Sequence, residues 1–252
     1  MVGWRAAILT PDWPLPPGIR AAFSLRGGGV SLPPYDSLNL GDHVGDSPVL
    51  VRANRARLGK LLQLPTEPGW LTQVHGRGVV DLAATGSAAA AADAAIAWQP
   101  AQVCAVLVAD CLPVLFAAKN ASAVAAAHAG WRGLAAGVLE QAVATLDVPG
   151  AELTAWLGPC IRQPEFEVGA EVRAAFLGAA HPADASATAA LFAPNVRGRY
   201  QCDLPALARL RLARLGLTAV SDCGLCTVAD AQGFFPIGAM PRGLVRPVGT
   251  RR

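Results

Sequence analysis

The sequence predicts an α+β fold: one domain over residues 1–252, in which mixed β-sheets pack between helices. Its 252 residues are enough for one large domain with a substantial core, and no internal repeat or long linker divides them. Apolar runs of strand length occur beside segments with helical spacing. Because these segments do not alternate with strict βα regularity, mixed sheets are favoured over a doubly wound parallel sheet.

Five apolar runs have the length and composition of strands. The most apolar block of the chain contains three of them. We expect Val103–Ala109 and Ala123–Ala127 to be adjacent buried strands at the centre of the sheet, with Val114–Ala118 as a further strand of the same block. Leu153–Leu157 and a run at Val220 are predicted to be strands elsewhere.

Two segments have the apolar spacing of amphipathic helices. Leu134–Leu146 carries apolar residues at intervals of three and four. Leu204–Leu215 is preceded by Asp203, a favourable N-cap, and followed by Gly216, which favours a helix end. Pro205 lies in the first turn, where its missing N–H costs no hydrogen bond. The sequence therefore predicts a helix over each segment.

The composition excludes several classes of protein. With 53% hydrophobic and 15% charged residues, the chain is not disordered. A net charge of +3 without a run of Lys or Arg provides no face for nucleic acid. Polar residues interrupt each apolar stretch before it reaches about 20 residues, so we expect no membrane span. The N-terminal segment lacks the features of a signal peptide, and we expect a cytoplasmic protein.

The six cysteines do not form the pattern of a disulfide-rich protein. Cys223 and Cys226 make a C-x-x-C pair, but neither a second such pair nor a nearby histidine accompanies them. A structural zinc site would need one or the other. We therefore interpret this pair as ordinary structural residues.

Asp110, Cys111 and His128 lie at the ends of apolar runs, where the chain turns. Such positions carry the chemistry in α/β folds, and polar groups there are costly unless they are paired or ligated. Each residue also has an ordinary interpretation, because a single cysteine is commonly a small buried hydrophobe and a single histidine commonly a satisfied core or surface residue. Position alone leaves both interpretations open.

The motifs around these residues resemble a known family. Ala109–Pro113 (ADCLP) and His128–Gly133 (HAGWRG) are similar to the signature motifs of the laccase-domain family. Its members are also called multicopper polyphenol oxidase-like proteins, YfiH-type proteins, peptidoglycan editing factors and purine nucleoside phosphorylases. Further segments that fit the family in order are Arg26–Ser31, Pro34–Gly41, His43–Asp46, Trp70–Gly76, Trp156–Pro159 and Phe166–Gly169. The resemblance implies a YfiH-like fold, of a class that includes deamidating toxins of the cytotoxic necrotizing factor type.

The resemblance also implies a metal site formed by His75, Cys111 and His128. No spacing rule identifies it, because the three residues lie far apart in the sequence. Two imidazoles and a thiolate suit zinc, and three protein ligands leave the fourth position open. Copper also accepts these donors. A multicopper oxidase needs a type-1 copper and a trinuclear cluster, which require many more histidines than the four in this chain.

Three residues are candidates for catalysis. Cys111 and His128 can alternatively form a nucleophile and base pair, which would compete with metal for the same thiolate; the presence of His75 favours metal. Asp110 is the candidate for general acid–base work, with an alternative role in orienting a ligand histidine.

The substrate-binding residues implied by the family motifs are Arg26, Asn39, His43 and Arg132. Arg26 lies in a glycine-flanked turn and can hold a phosphate or ribose hydroxyl through its fork of donors. His43 also has an interpretation as a simple loop residue.

The function implied by the resemblance is a zinc-dependent purine nucleoside phosphorylase acting on adenosine or inosine, with adenosine deaminase activity. Its substrates would be a purine nucleoside and phosphate, and no protein partner can be inferred. The alternatives are a hydrolase that edits peptidoglycan precursors, a copper-dependent polyphenol oxidase and a metal-binding protein without enzyme activity.

The C-terminal segment departs from the family pattern. After Phe235 the family continues with Ser-Tyr-Arg-Arg-Asp, whereas this chain continues with Pro-Ile-Gly-Ala-Met. A one-base shift of the reading frame would relate the two, and ordinary divergence is the alternative. In both cases the tail after Phe235 is atypical: it lacks the paired arginines of the family pattern, and with them any phosphate contact that those arginines make.

Overall fold

The fold is built on a mixed six-stranded sheet that contains the most apolar runs of the sequence. A computed structural model describes residues 7–85 and 90–235. The strands in this part of the chain are β1 Ile8–Leu9, β2 Phe23–Ser24, β3 Val79–Asp81, β4 Ala94–Ala97, β5 Leu112–Ala118, β6 Val124–Ala129, β7 Leu153–Leu157, β8 Glu167–Val168, β9 Phe192–Pro194, β10 Tyr200–Cys202 and β11 Val220–Asp222.

The described residues also form seven α-helices. They are α1 Pro48–Leu62, α2 Leu82–Thr85, α3 Trp131–Ala136, α4 Val138–Leu146, α5 Ala170–Ala179, α6 Ala185–Ala190 and α7 Leu204–Arg214. Short 3₁₀ turns cover Gly150–Glu152 and Pro182–Asp184.

The large sheet has the order β11-β7-β5-β6-β4-β3. Its four central strands pair antiparallel, whereas each edge strand pairs parallel with its neighbour, β3 with β4 and β11 with β7. Two smaller antiparallel sheets have the orders β8-β10-β9 and β1-β2. The α+β class with a mixed sheet is therefore confirmed.

Alternation along the central strands sends successive side chains to opposite faces of the sheet. In β5, Val114 and Phe116 point into the large core shared with α4, α5 and α7. Burying an apolar side chain as completely as Phe116 stabilises the fold by about 1.5–3 kcal/mol. Ala117 of β5 points to the other face, beneath Trp13 and Trp156.

The face opposite these helices is covered by the N-terminal segment, by loops and by the four-residue helix α2. Trp13 packs there, and its indole N–H donates to Thr154 Oγ1 of β7 at 2.9 Å.

Most of the predicted strands are confirmed. Val114–Ala118 lies in β5, Leu153–Leu157 is β7, Val220 begins β11, and all of Ala123–Ala127 except Ala123 lies in β6. The prediction of a central strand over Val103–Ala109 is wrong. That segment is half-buried, and its one pairing is an isolated bridge between Cys104 and Gly69.

A side chain replaces the missing partner strand of this segment. The amide of Gln73 donates to the Leu107 carbonyl at 2.8 Å and accepts from the Leu107 N–H at 2.7 Å. Leu107 packs against a small cluster formed by α1 and the loop before it. A short apolar run does not distinguish a sheet strand from an extended segment that covers another patch.

The helix predictions hold with one change. Asp203 accepts from the Ala206 N–H at 3.0 Å and caps α7, as predicted. The segment predicted as a single helix, Leu134–Leu146, is divided between α3 and α4. Gly137 has φ +95° and ends α3, because an αL residue cannot continue a right-handed helix.

Within the described residues, no helix has the length and apolar character needed to cross a membrane. All six cysteines are free thiols. The atypical tail, residues 236–252, lies outside the described residues.

Candidate metal centre

The β5–β6 pair brings Cys111 and His128 to the same end of the sheet. In the register of this pair, Leu112 faces Ala129 and Pro113 faces His128. Cys111 therefore lies directly before the first residue of β5, at the end of the sheet where the antiparallel strand β6 finishes. Because Ala127 and Ala129 point into the helix-covered core, strand alternation sends His128 to the opposite face. Its side chain is almost completely buried there.

His75 reaches the same place from the loop before β3. It adopts a left-handed conformation with φ +58°, which few residues other than glycine take up. The ring of His75 meets the ring of His128 edge to face, with centroids 4.7 Å apart. The structure thus brings together three residues that are widely separated in the sequence.

The three side chains form a group that can hold a metal ion. Their ligand atoms all lie within 4.8 Å of one another, and Cys111 Sγ is 4.0 Å from His75 Nε2. Ligand atoms around one tetrahedral zinc are separated by about 3.3–3.6 Å, given the usual Zn–N and Zn–S bond lengths. The observed separations exceed those of a ligated set by at most about 1.5 Å, so the three side chains need only small movements to bind one ion.

Gly130 leaves the space that such a group needs. A Cβ at this position would lie 2.8 Å from Cys111 Sγ, 3.2 Å from His75 Cδ2 and 3.5 Å from His128 Nε2. Any side chain here would occupy the volume onto which the three ligand atoms converge. The absence of a side chain at Gly130 of the HAGWRG motif thus has a steric explanation.

Asp93 is the residue of the centre that sequence reasoning missed. It lies directly before β4, it is fully buried, and its Oδ1 is 2.8 Å from His128 Nδ1. Its carboxylate also accepts from the backbone N–H groups of His75 at 2.9 Å and Gly76 at 2.6 Å. The available signal was an acidic residue at the start of a buried apolar strand, a position that is costly unless the carboxylate is fully bonded.

The electrostatics of the group favour a charged thiolate. Burial alone would raise the pKa of Cys111, but hydrogen bonds and charges from His128 and His75 lower it to about 7. Burial alone would lower the pKa of His128, but Asp93 and Cys111 raise it to about 9. The thiolate is the form of cysteine that binds metal and attacks electrophiles.

Asp110 is held next to the centre by contacts from two other segments. The hydroxyl of Thr227 donates to Asp110 Oδ1 at 2.7 Å, and the Ile161 N–H donates to the Asp110 carbonyl at 2.9 Å. These bonds orient the carboxylate and the backbone immediately before Cys111. The catalytic role of Asp110 stays a prediction.

The guanidinium of Arg26 connects the N-terminal motif to the C-terminal segment. Its Nε donates to the Asp36 carbonyl at 2.6 Å and its Nη1 to the Ala231 carbonyl at 3.1 Å. The group also lies 5.1 Å from the ring centre of Phe235. Arg26 is therefore already bonded within the protein, and its role in binding phosphate or ribose stays a prediction.

The other predicted substrate residues lie in loops and in the first turn of α3. Asn39 donates to Asp46 Oδ2 at 2.9 Å and holds its own loop. The side chain of His43 is largely exposed. Arg132 stacks on the ring of Trp131 at 4.4 Å. No contact in the described structure joins these side chains to His75, Cys111 or His128, so their roles stay predictions.

The fold and the site together define an α+β protein with a His-Cys-His group able to bind a metal ion. The chain belongs to the family described as multi-copper polyphenol oxidoreductase laccase, whose model matches residues 20–237. The resemblance seen in the ADCLP and HAGWRG motifs is thereby confirmed.

Relatives with similar sequences share most of their length with this chain. A protein named purine nucleoside phosphorylase from Pseudomonas aeruginosa is 51% identical over 230 residues, which cover 91% of each chain. The purine nucleoside phosphorylase YfiH of Escherichia coli is 48% identical over 228 residues, covering 90% of this chain and 91% of its own.

Solved structures share the fold. A crystal structure of a Neisseria meningitidis protein matches with a TM-score of 0.85 and 43% identity, covering 92% of this chain and 93% of that one. The structure of YlmD from Geobacillus stearothermophilus matches with a TM-score of 0.85 and 26% identity, covering 92% and 90%. The YfiH-like fold is therefore confirmed.

Proposed function

We propose that this protein is a zinc-dependent purine nucleoside phosphorylase that acts on adenosine and inosine and also deaminates adenosine. The observation that carries the proposal is the group of His75, Cys111 and His128, with all ligand atoms within 4.8 Å. It occurs in a chain 51% identical to a relative named as a purine nucleoside phosphorylase. The substrates are small molecules, a purine nucleoside and inorganic phosphate.

The donor set supports zinc as the metal. Two imidazoles and a thiolate leave one position open to a substrate atom, as catalytic zinc sites require. When bound, zinc supplies a Lewis acid that stabilises negative charge developing on the substrate. Copper accepts the same donors, but four histidines are too few for the set of copper centres in a multicopper oxidase.

The two reactions make different demands on the protein. In phosphorolysis, a phosphate oxygen bonds to C1′ of the ribose while the C1′–N9 bond breaks, and the departing purine takes the electron pair and a proton. In deamination, the oxygen of water bonds to C6 while the bond from C6 to the amino nitrogen breaks; one proton of the water goes to the leaving ammonia and the other to N1 of the purine. Both reactions need a group that moves a proton, and only the first needs a site for phosphate.

Asp110 is the proton-moving residue of this proposal. The Thr227 hydroxyl holds its carboxylate at 2.7 Å, and the adjoining Cys111 belongs to the metal group. A carboxylate fixed in this way can accept a proton and return it to a leaving group. Arg26, Asn39, His43 and Arg132 are proposed to bind the substrates, with Arg26 holding a phosphate or a ribose hydroxyl.

Chromatography of the reaction products tests this proposal. The purified protein is incubated with adenosine, with and without inorganic phosphate, after its metal content has been measured. We expect zinc near one equivalent, adenine with ribose 1-phosphate only when phosphate is present, and inosine under both conditions.

Other outcomes select the alternatives. Inosine without any free base would leave a deaminase and exclude the phosphorylase. Copper in place of zinc, with oxidation of a phenol, would support the polyphenol oxidase, and release of product from a peptidoglycan precursor alone would support the editing hydrolase.

A further inference from the structure

We propose that Asp93 is the positioning residue of the metal centre, and that its single carboxylate sets the orientation of both histidine ligands. The inference rests on the metal group of the proposed function. It assigns a role to a residue that lies outside the ADCLP and HAGWRG motifs and outside the Trp70–Gly76 segment, and that does not itself bind the metal.

The carboxylate oxygens of Asp93 bind two separate parts of the centre. Oδ1 is 2.8 Å from His128 Nδ1 and 2.9 Å from the backbone N of His75. Oδ2 accepts from the backbone N–H groups of Gly76 at 2.6 Å and Val74 at 3.3 Å. One buried side chain thus joins the end of β6 to the loop that carries His75.

The bond to His128 selects which ring nitrogen faces the metal group. Because His128 Nδ1 donates to the Asp93 carboxylate, Nε2 is the ring nitrogen on the side of Cys111 and Gly130, and it can bind a metal when its own proton is released. A hydrogen bond from the second ring nitrogen to a carboxylate is the usual way in which a ligand histidine is oriented. Without this bond the ring could rotate or adopt the other tautomer.

The bonds to the loop hold His75 in a costly conformation. A left-handed residue other than glycine is strained by roughly 1–3 kcal/mol and persists only where its surroundings hold it. Three successive N–H groups around His75 point at the Asp93 carboxylate, and they supply that restraint. Helix α3 packs against the same loop, since a Cβ at Gly133 would lie 2.7 Å from the Gly76 carbonyl.

The Asp93→Asn substitution keeps the size of the side chain but removes its negative charge and one of its two accepting oxygens. The carboxylate serves four donors through two accepting oxygens, whereas an amide has one oxygen and a nitrogen that only donates. In Asp93→Asn, at least one of the two donor pairs would therefore face an NH₂ group. The backbone bonds of Asp93 to Gly78 and His128 do not involve the side chain and are retained.

Asp222→Asn is the matched control. Asp222 also accepts several hydrogen bonds, from Arg162 and from the Gly224 N–H. Its partners do not include either ligand histidine. Both variants lose a carboxylate that accepts several hydrogen bonds, but only Asp93 contacts the metal group.

Zinc affinity is measured by competition with a chromophoric chelator, using metal-free wild type, Asp93→Asn and Asp222→Asn. We expect the affinity of Asp93→Asn for Zn²⁺ to fall about 10- to 100-fold and that of Asp222→Asn to stay within about twofold. The visible spectrum of the Co²⁺-loaded protein should change only in Asp93→Asn. Wild-type affinity in a folded Asp93→Asn protein would overturn the inference.

A measurement on the wild type covers the case in which Asp93→Asn does not fold. Long-range ¹H–¹⁵N spectra of the imidazoles should show His128 with its proton on Nδ1 and with Nε2 bound to added Zn²⁺. A proton on Nε2, or metal at Nδ1, would refute the role of Asp93. Phosphorolysis is assayed separately: a metal site that depends on Asp93 without phosphorolysis would reject the proposed function alone, and a wild type without zinc affinity would reject both.

Discussion

At the residue scale, the centre combines reactive side chains with a position that has none. His75, Cys111 and His128 supply the donors, and Gly130 supplies the space between them. The backbone of Gly130 has φ −59°, which any residue can adopt. Its requirement for glycine is therefore steric, and substitution tests the site without straining the chain.

Gly130→Ala should bind zinc at least about tenfold more weakly than wild type, because the new methyl group would lie 2.8 Å from Cys111 Sγ. Equilibrium dialysis or chelator competition measures this. The control is Gly178→Ala in α5, where a Cβ meets nothing within 4 Å and alanine favours the helix by about 0.5–1 kcal/mol. Equal zinc affinity in the two variants would show that the space beside Gly130 is not where metal binds.

Asp110→Asn should retain zinc but lose turnover by about 10²–10⁴-fold if Asp110 moves a proton. Thr227 can still donate to the remaining oxygen of the amide, so the local structure should be preserved. Metal content and kcat, measured on the same preparation, separate the two effects. Full turnover would show that Asp110 only orients its neighbours, and His43 would then be the candidate for moving the proton.

At the element scale, a glycine divides two helices and an ion pair anchors an edge strand of the sheet. Gly137 separates α3 from α4 and lets α4 turn onto the sheet. At the far edge of the sheet, Arg162 forms a double hydrogen bond with Asp222 at the end of β11. That ion pair connects the edge strand to the loop that follows β7.

Gly137→Ala should destabilise the protein by about 1–2 kcal/mol, because an L-residue at φ +95° is strained. Gly59→Ala in α1, where a Cβ meets nothing within 4 Å, should be neutral or stabilising. Urea denaturation compares the two. A Gly137→Ala protein as stable as wild type would mean that the two helices can merge without cost.

Asp222→Asn should remove a pH-dependent part of the stability. Although burial alone would raise the pKa of Asp222, the hydrogen bond and charge of Arg162 lower it below its usual value. A carboxyl whose pKa is lower in the folded state stabilises the protein above its unfolded pKa, and this contribution is lost as the pH falls through the folded pKa. The difference in melting temperature between wild type and variant should therefore be present at pH 7 and should shrink below about pH 4.

At the scale of the whole molecule, the metal group joins three separate parts of the chain. His75 comes from a loop, Cys111 from the start of β5 and His128 from the end of β6. Helices cover one face of the large sheet, and the group lies on the other face. Metal bound there would add a direct connection between three segments that already meet through the sheet, through Asp93 and through the bonds of Gln73 to Leu107.

Removal of zinc should therefore lower global stability. A ligand that binds only the folded state stabilises it by about 4 kcal/mol when its free concentration is about 1,000 times its Kd. Thermal melts with and without a chelator should differ for wild type and for Cys104→Ala, which alters a free cysteine outside the group. They should coincide for Cys111→Ala. A chelator effect of wild-type size in Cys111→Ala would place the stabilising metal elsewhere.

The sequence by itself determined the class of fold, most of the central strands and the cap of α7. These features depend on apolar periodicity and on residues close to one another in the chain, such as Asp203 and the first turn that it caps. The identities of His75, Cys111 and His128 also came from sequence, through motifs that resemble a family rather than through any spacing rule.

Only the tertiary structure decided how these residues meet. The register of β5 against β6 places Cys111 beside His128, and the buried carboxylate of Asp93 brings the His75 loop to them. Another contact between distant segments, the pair of bonds from Gln73 to Leu107, holds Val103–Ala109 as a covering segment instead of a central strand. The apolar pattern of a segment shows whether that segment is buried. Which strand it pairs with, and which loop packs beside it, depend on where the rest of the chain lies.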